Sequence, residues 1–211
     1  MPSSFEFVRS EILDHRVIAH DTWQLTVRAP GLAASARPGQ FFMVRLADCN
    51  DPLIGRALAL YDVHRDASGA PESLSVVYVV KGKFTQALSR QQPGQQVEIW
   101  GPLGNVFSTE PVDHLILVAG GVGITPMLTH ARSALGREAY GVGSTPQSFA
   151  QRVTLCYGAR TREYLAGLDR FEASGVEFAI STEDGSLGHR GRVTEVLEGL
   201  IAARSGTQRI A

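Results

Sequence analysis

The run Leu115-Ile116-Leu117-Val118-Ala119, followed at once by Gly120-Gly121-Val122-Gly123-Ile124-Thr125-Pro126-Met127, constrains this chain more than any other feature. Apolar residues without alternation describe a strand covered on both faces, the setting of a parallel sheet. Glycines behind such a strand allow a tight turn and a close approach of phosphate to the backbone. A helix is predicted from Thr125 to Leu135, with Pro126 in the first turn, where its missing N–H costs nothing. The amides and positive dipole end of that turn suit an anion. The spacing is not G-x-G-x-x-G, so the standard dinucleotide fingerprint is absent.

The rest of the second half alternates strand and helix. Strands are expected at Val153–Tyr157 and Val176–Ile180, with helices over Thr161–Phe171 and Val193–Ile201. That alternation describes a doubly wound α/β unit. Residues 136–147 carry three Gly and one Pro. They lack a period and read as a long exposed excursion. The first half instead offers short strands between Gly/Pro turns: Val17–Val27 (broken at Ala19-His20-Asp21), Phe41–Leu46, Ala57–Val63, Leu74–Val80 and Gln95–Trp100. Such spacing suggests a small antiparallel barrel. One helix interrupts it, Lys83–Arg90, with Phe84, Ala87 and Leu88 on one face. The expected architecture is a β-barrel plus α/β chain, with domains at 1–108 and 109–211.

Composition narrows the partners. Across 211 residues, 20 Lys+Arg face 21 Asp+Glu, for a net charge of -1. No basic stripe marks a nucleic-acid partner or an anionic membrane surface. Two cysteines, Cys49 and Cys156, cannot build a four-Cys zinc or iron–sulfur site. The longest apolar run, Leu115–Ala119, is too short to span a bilayer. The start, Met1-Pro2-Ser3-Ser4, lacks a signal-peptide pattern, so a cytoplasmic location is expected. The six His residues are scattered without ligand spacing.

Three motifs together carry a resemblance: Arg37-Pro38-Gly39-Gln40-Phe41, Gly101-Pro102-Leu103-Gly104-Asn105-Val106-Phe107 and the Gly-Gly-Val-Gly-Ile-Thr-Pro turn. With them the chain resembles the ferredoxin–NADP reductase superfamily. In that family a six-stranded barrel binds flavin and an α/β domain binds the nicotinamide nucleotide. Tyr78–Thr85, Tyr157-Gly158-Ala159-Arg160 and Ser181–Gly188 make it most similar to the electron-transfer subunits of dihydroorotate dehydrogenase. The resemblance implies FAD contacts from Arg56, Ala57, Leu58, Ala59, Tyr78, Val80, Gly82, Lys83 and Thr85. Arg56 would neutralise the pyrophosphate, for which its fixed fork is suited. The family's aromatic and hydroxyl residues on the flavin ring are replaced here by Leu58 and Ala59. Thr85 has a second reading, as an ordinary helix cap.

For NAD(H), the resemblance implies Gly120, Gly121, Gly123, Thr125, Pro126, Tyr157, Arg160, Glu183 and Asp184. A carboxylate beyond a strand end accepts from a ribose 2′-OH and repels a 2′-phosphate, which favours NADH over NADPH. Gly101–Gly104 is read as the connection between domains. Hydride transfer demands no side-chain acid or base, so no catalytic residue is assigned. The family continues past this sequence with a Cys-Gly-Pro strand and the cysteines of a [2Fe–2S] cluster. Ile210-Ala211 reads as the start of that strand, and the chain is expected to be longer in nature. Flavin without a cluster is therefore expected of these residues. The leading expectation is an electron-transfer flavoprotein serving a catalytic partner subunit. The alternatives are a reductase for an oxygenase or ferredoxin, and a nucleotide-binding regulatory module without turnover.

Overall fold

The structure, a computed structural model, describes residues 5–203. The readings of Met1–Ser4 and of Ile210-Ala211 lie outside those residues. Two compact units divide the chain. One extends to Phe107 and takes in Tyr140–Ser144; the other comprises Ser108–Ala139 and resumes at Thr145.

The first unit is a closed barrel of six strands: β1 (Glu6–Ala19), β2 (Thr22–Arg28), β3 (Phe41–Leu46), β4 (Arg56–Arg65), β5 (Pro71–Val79) and β6 (Gln96–Leu103). The strands pair antiparallel in the order β1-β2-β5-β4-β3-β6. Two short helices accompany them, α1 (Pro30–Ser35) and α2 (Lys83–Leu88). The period of two is clean in β3, where Phe42, Val44 and Leu46 are buried and the residues between them are not. These side chains meet Leu25, Leu60, Val76 and Ile99 in one core, with Leu32 from α1 and Phe84 and Leu88 from α2. Burying each large apolar side chain contributes roughly 1.5–3 kcal/mol, which fixes both helices to the barrel.

Three features differ from expectation here. Val17–Val27 is the middle of a hairpin: β1 begins at Glu6 and turns at His20-Asp21, where Asp21 has φ 51. An aspartate tolerates that left-handed conformation. The first half of β1 reads as polar because most of it is exposed or half-buried. Helix α1 is too short to show a period. Gly101–Leu103 is not a connection but the end of β6, with Gly101 opposite Glu6 and Leu103 opposite Phe41. The irregular link is 105–111.

The second unit is a parallel sheet in the order β10-β9-β8-β7, built from β7 (Val112–Gly120), β8 (Ala150–Ala159), β9 (Glu177–Thr182) and β10 (His189–Arg190). Helices α3 (Met127–Ala134), α4 (Leu168–Glu172) and α5 (Val193–Ala202) accompany it. The apolar run of β7 lies against β8, with Leu115 beside Val153 and Leu117 beside Leu155. Helix α5 crosses closely over β8. A Cβ at Gly158 would lie 2.7 Å from Val193 Cβ, so only glycine fits beneath it. The helix expected over 161–171 is instead a 3-10 turn at Arg162–Tyr164 and the short α4. Gly167, at φ 67, breaks the run between them. The excursion over 136–147 is irregular as expected, but not wholly exposed: Tyr140 is buried in the barrel's apolar cluster.

His130 on α3 is buried beside the Phe149 ring, and desolvation takes its imidazole down to about 4. Between the unfolded value near 6.5 and about 4, the unfolded chain holds the extra proton. Stability is therefore expected to fall as pH drops through that window, by about 3 kcal/mol in all. Urea unfolding of the wild type and His130→Leu at pH 7 and pH 4.5 checks this. The variant should show the smaller acid loss, and equal losses would contradict the assignment.

Candidate cofactor-binding sites

In the barrel unit, the first residue of β4 meets the first turn of α2. Arg56 donates from Nη1 to the Ile54 carbonyl at 3.0 Å and the Gly55 carbonyl at 3.2 Å. Its guanidinium carbon lies 5.8 Å from the centre of the Phe84 ring, a cation–π distance. Phe84 is buried in the core, so an exposed arginine is seated on a fixed ring beside the 82–85 turn. Sequence reading missed Phe84 in this role. Its place in an apolar helical period gave no sign that its ring would also serve an arginine.

Thr85 shapes the turn. Its hydroxyl accepts from the amides of Lys81 at 2.9 Å and Gly82 at 3.1 Å, and donates to the Gly82 carbonyl at 3.0 Å. Thr85 is thus the organiser of the turn, although the cap residue of α2 is Gly82 and Thr85 lies three positions inside the helix. The amides of Lys83 and Phe84, without partners inside a helix, are the donors suited to an anion. At Gly82 an added Cβ would meet nothing within 4 Å, which leaves room over the turn. The Lys83 ammonium is ion-paired with Asp51, another residue the sequence did not single out.

The other expected flavin residues separate. Ala57 is exposed and Ala59 half-buried, opposite Met43 and Phe41 on β3. Both offer backbone and a methyl group only. Leu58 faces inward opposite Phe42 and belongs to the core, and Tyr78 is likewise a core residue. Both side chains are packed inward, which corrects the expectation that they contact FAD. The strand pleat and the bulge after Leu60 set which residues turn inward. Val80 is half-buried and packs on the core.

In the α/β unit, the glycine turn lies at the carboxyl end of β7, where ligands of open parallel sheets bind. Gly121–Ile124 forms a 3-10 turn, Thr125 is buried, and α3 begins after Pro126 at Met127. The helix thus starts two residues later than expected. Cβ atoms added at Gly120, Gly121 or Gly123 would meet nothing within 4 Å, and Gly121 has φ 51. Bare backbone under open space is what close phosphate approach requires.

The ends of β8 and β9 are stitched together. The Glu183 amide donates to Ala159 at 3.1 Å and the Asp184 amide to Arg160 at 3.3 Å. Arg160 and Glu183 are both exposed at this edge. Asp184 is spent on the turn: its Oδ1 accepts from the Ser186 hydroxyl at 2.7 Å and amide at 3.0 Å. These bonds hold its carboxyl below the usual range. Glu183 is therefore the carboxylate better placed for a ribose. Tyr157 needs correction, because its ring is fully buried and its hydroxyl accepts from the Ala166 amide at 3.0 Å. It braces the loop after β8 rather than facing a ligand. Of the two cysteines, Cys156 is buried within β8, and Cys49 is in the barrel unit with its thiol donating to the Asp51 carbonyl.

Residues 9–107 match the family described as an oxidoreductase FAD-binding domain. The electron-transfer subunit of dihydroorotate dehydrogenase B from Geobacillus kaustophilus is 34% identical, over 90% of this chain and 68% of its own length. The subunit's homologue from Aquifex aeolicus is 31% identical, over 90% of this chain and 69% of its own. The chain spans about two thirds of the length of these relatives. Among solved structures, an NADH-dependent reduced ferredoxin-NADP oxidoreductase is 30% identical with a TM-score of 0.72, covering 92% of this chain and 64% of that one. The CS-b5R domains of human Ncb5or share the fold, with a TM-score of 0.75 at 16% identity over 99% of this chain and 61% of that one. Among the described residues no helix is long and apolar enough to cross a membrane.

Proposed function

This chain belongs to the family of electron-transfer subunits of dihydroorotate dehydrogenase B, and on that premise we propose that it passes electrons between NAD(H) and a catalytic partner subunit through FAD. The observation that carries the reading is Arg56 seated on Phe84 beside the 82–85 turn, inside the span that matches an FAD-binding domain. A bidentate cation and helix-turn amides are what a dinucleotide pyrophosphate asks for. The barrel unit, read as a flavin domain over 1–108, and the α/β unit, read as a nucleotide domain over 109–211, then divide the work.

When bound, the flavin supplies a two-electron acceptor that also hands on single electrons. The chain's own share is binding and orientation. Arg56 and the amides of Lys83 and Phe84 hold phosphate, and Thr85 keeps their turn closed. Ala57 and Ala59 leave the ring region without a hydroxyl donor. Gly120, Gly121 and Gly123 admit the nicotinamide nucleotide's phosphates, and Arg160 and Glu183 take its ribose side. The partner in this reading oxidises dihydroorotate in the cytoplasm, as a step of pyrimidine synthesis. A [2Fe–2S] relay needs four ligands that these 211 residues do not supply, so it enters only with a further segment.

Anaerobic NADH titration of the FAD-loaded chain tests the reading. Bleaching of the flavin absorbance is expected. Bound flavin that NADH leaves oxidised would favour the regulatory-module alternative. A reductase for a ferredoxin is the second reading, favoured by the 30% identity to the ferredoxin-NADP oxidoreductase. Electron delivery to a ferredoxin but not to a dihydroorotate-oxidising subunit would select it.

A further inference from the structure

His15 sits where three parts of the barrel unit meet. Its half-buried ring lies 4.8 Å from the Trp23 ring of β2 and 6.0 Å from the Tyr78 ring of β5, centre to centre. Nδ1 is 2.9 Å from the Gln91 carbonyl, and Nε2 is 2.9 Å from the Tyr78 hydroxyl. A carbonyl only accepts, so Nδ1 carries the ring proton. The neutral ring then accepts at Nε2, and Tyr78 donates. Burial pushes the His15 imidazole down and the Tyr78 phenol up, which keeps both groups in these forms at neutral pH.

The two tie points bracket one segment. Tyr78 precedes the last residue of β5, and Gln91 lies just beyond α2. Between them run Val80, the 82–85 turn and the whole of α2. One imidazole therefore joins the entry and the exit of the segment that presents Gly82, Lys83 and Phe84 to Arg56. No residue of β1 was expected to bear on the cofactor.

We propose that His15 is a positioning residue for FAD, tying Tyr78 to Gln91 so that the 82–85 turn stays matched to Arg56. The claim rests on the flavin reading of that turn. His15→Gln keeps one donor and one acceptor, whereas His15→Leu keeps neither and Tyr78→Phe removes the hydroxyl that meets Nε2. FAD affinity, read by flavin fluorescence, is expected to weaken about three- to tenfold in His15→Leu and in Tyr78→Phe. Combining the two should cost little more than either alone, and His15→Gln should retain most of the affinity. Affinity within twofold of wild type in His15→Leu, or a His15→Gln variant as weak as His15→Leu, would overturn the proposal. Should His15→Leu fail to fold, Tyr78→Phe carries the same test. Amide hydrogen exchange on the cofactor-free protein separates this claim from the flavin reading. Faster exchange over 80–90 in the variants supports the tie even if the wild type binds no FAD, and unchanged exchange there overturns it.

Discussion

Replacing Arg56 with alanine is expected to weaken FAD binding by about 1.5–3 kcal/mol, roughly 10- to 150-fold in Kd. The size follows from charge. A hydrogen bond to an ionised group contributes more than a neutral one, and a guanidinium offers two in fixed geometry to a pyrophosphate. Two features make the loss specific. Arg56 is exposed, so its truncation leaves no buried cavity and the barrel should keep its thermal stability. It is also pre-placed by the Phe84 ring and the Ile54 and Gly55 carbonyls, so little ordering remains to be done on binding. Arg56→Lys should recover only part of the affinity, because an ammonium lacks the planar fork. Isothermal titration on the folded variants measures this. An Arg56→Ala protein that binds FAD as the wild type does would remove Arg56 from the site.

The second large effect concerns nucleotide choice. NADH is expected to reduce the bound flavin about ten- to a hundredfold faster than NADPH at equal subsaturating concentration. The expectation rests on Glu183, an exposed carboxylate just beyond the carboxyl end of β9, where a carboxylate would accept from a ribose 2′-OH and oppose a 2′-phosphate. Two like charges near a protein surface at contact distance repel by up to about 4 kcal/mol, and solvent at this exposed edge reduces that to the range given. Glu183→Gln should narrow the preference. Asp184→Asn should leave it largely in place, since that carboxylate is committed to Ser186. Stopped-flow reduction with each nucleotide decides the matter, and faster reduction by NADPH would contradict the carboxylate argument.

What was legible in the sequence follows from how local each signal is. The run Leu115–Ala119 and the glycines behind it occupy adjacent positions, and they stand in the fold as a parallel strand and a bare-backbone turn. Four of the barrel's six strands were readable because Gly/Pro turns punctuate that part of the chain, and the full count of six came from the family resemblance. Less legible were elements whose pattern is set by distant partners. The first half of β1 is mostly exposed or half-buried, and pairing with β6 defines it. Gly101–Gly104 read as the connection between domains, yet β1 and β3 recruit Gly101–Leu103 into β6.

The same divide runs through the candidate sites. Gly82 and Thr85 were candidates from a local turn, whereas Arg56 was a candidate only through the family resemblance. Leu58, Tyr78 and Tyr157 could not be placed, because whether a strand residue faces the core or a ligand depends on register and bulges. The arrangement of Phe84 under Arg56 joins residues far apart in sequence, as does His15 between Tyr78 and Gln91. No spacing rule exposes such pairs. The Tyr140 segment shows the converse: a stretch with no period still buries one aromatic in the barrel.

The central claim is that FAD is held where β4 begins and α2 begins. Hydrogen exchange of the 211-residue chain, with and without excess FAD, tests it most directly. The account predicts a stably bound yellow protein in which protection rises over 54–60 and 79–86 and little elsewhere in the barrel. A chain that stays colourless after reconstitution, or protection confined to other strands, would contradict it.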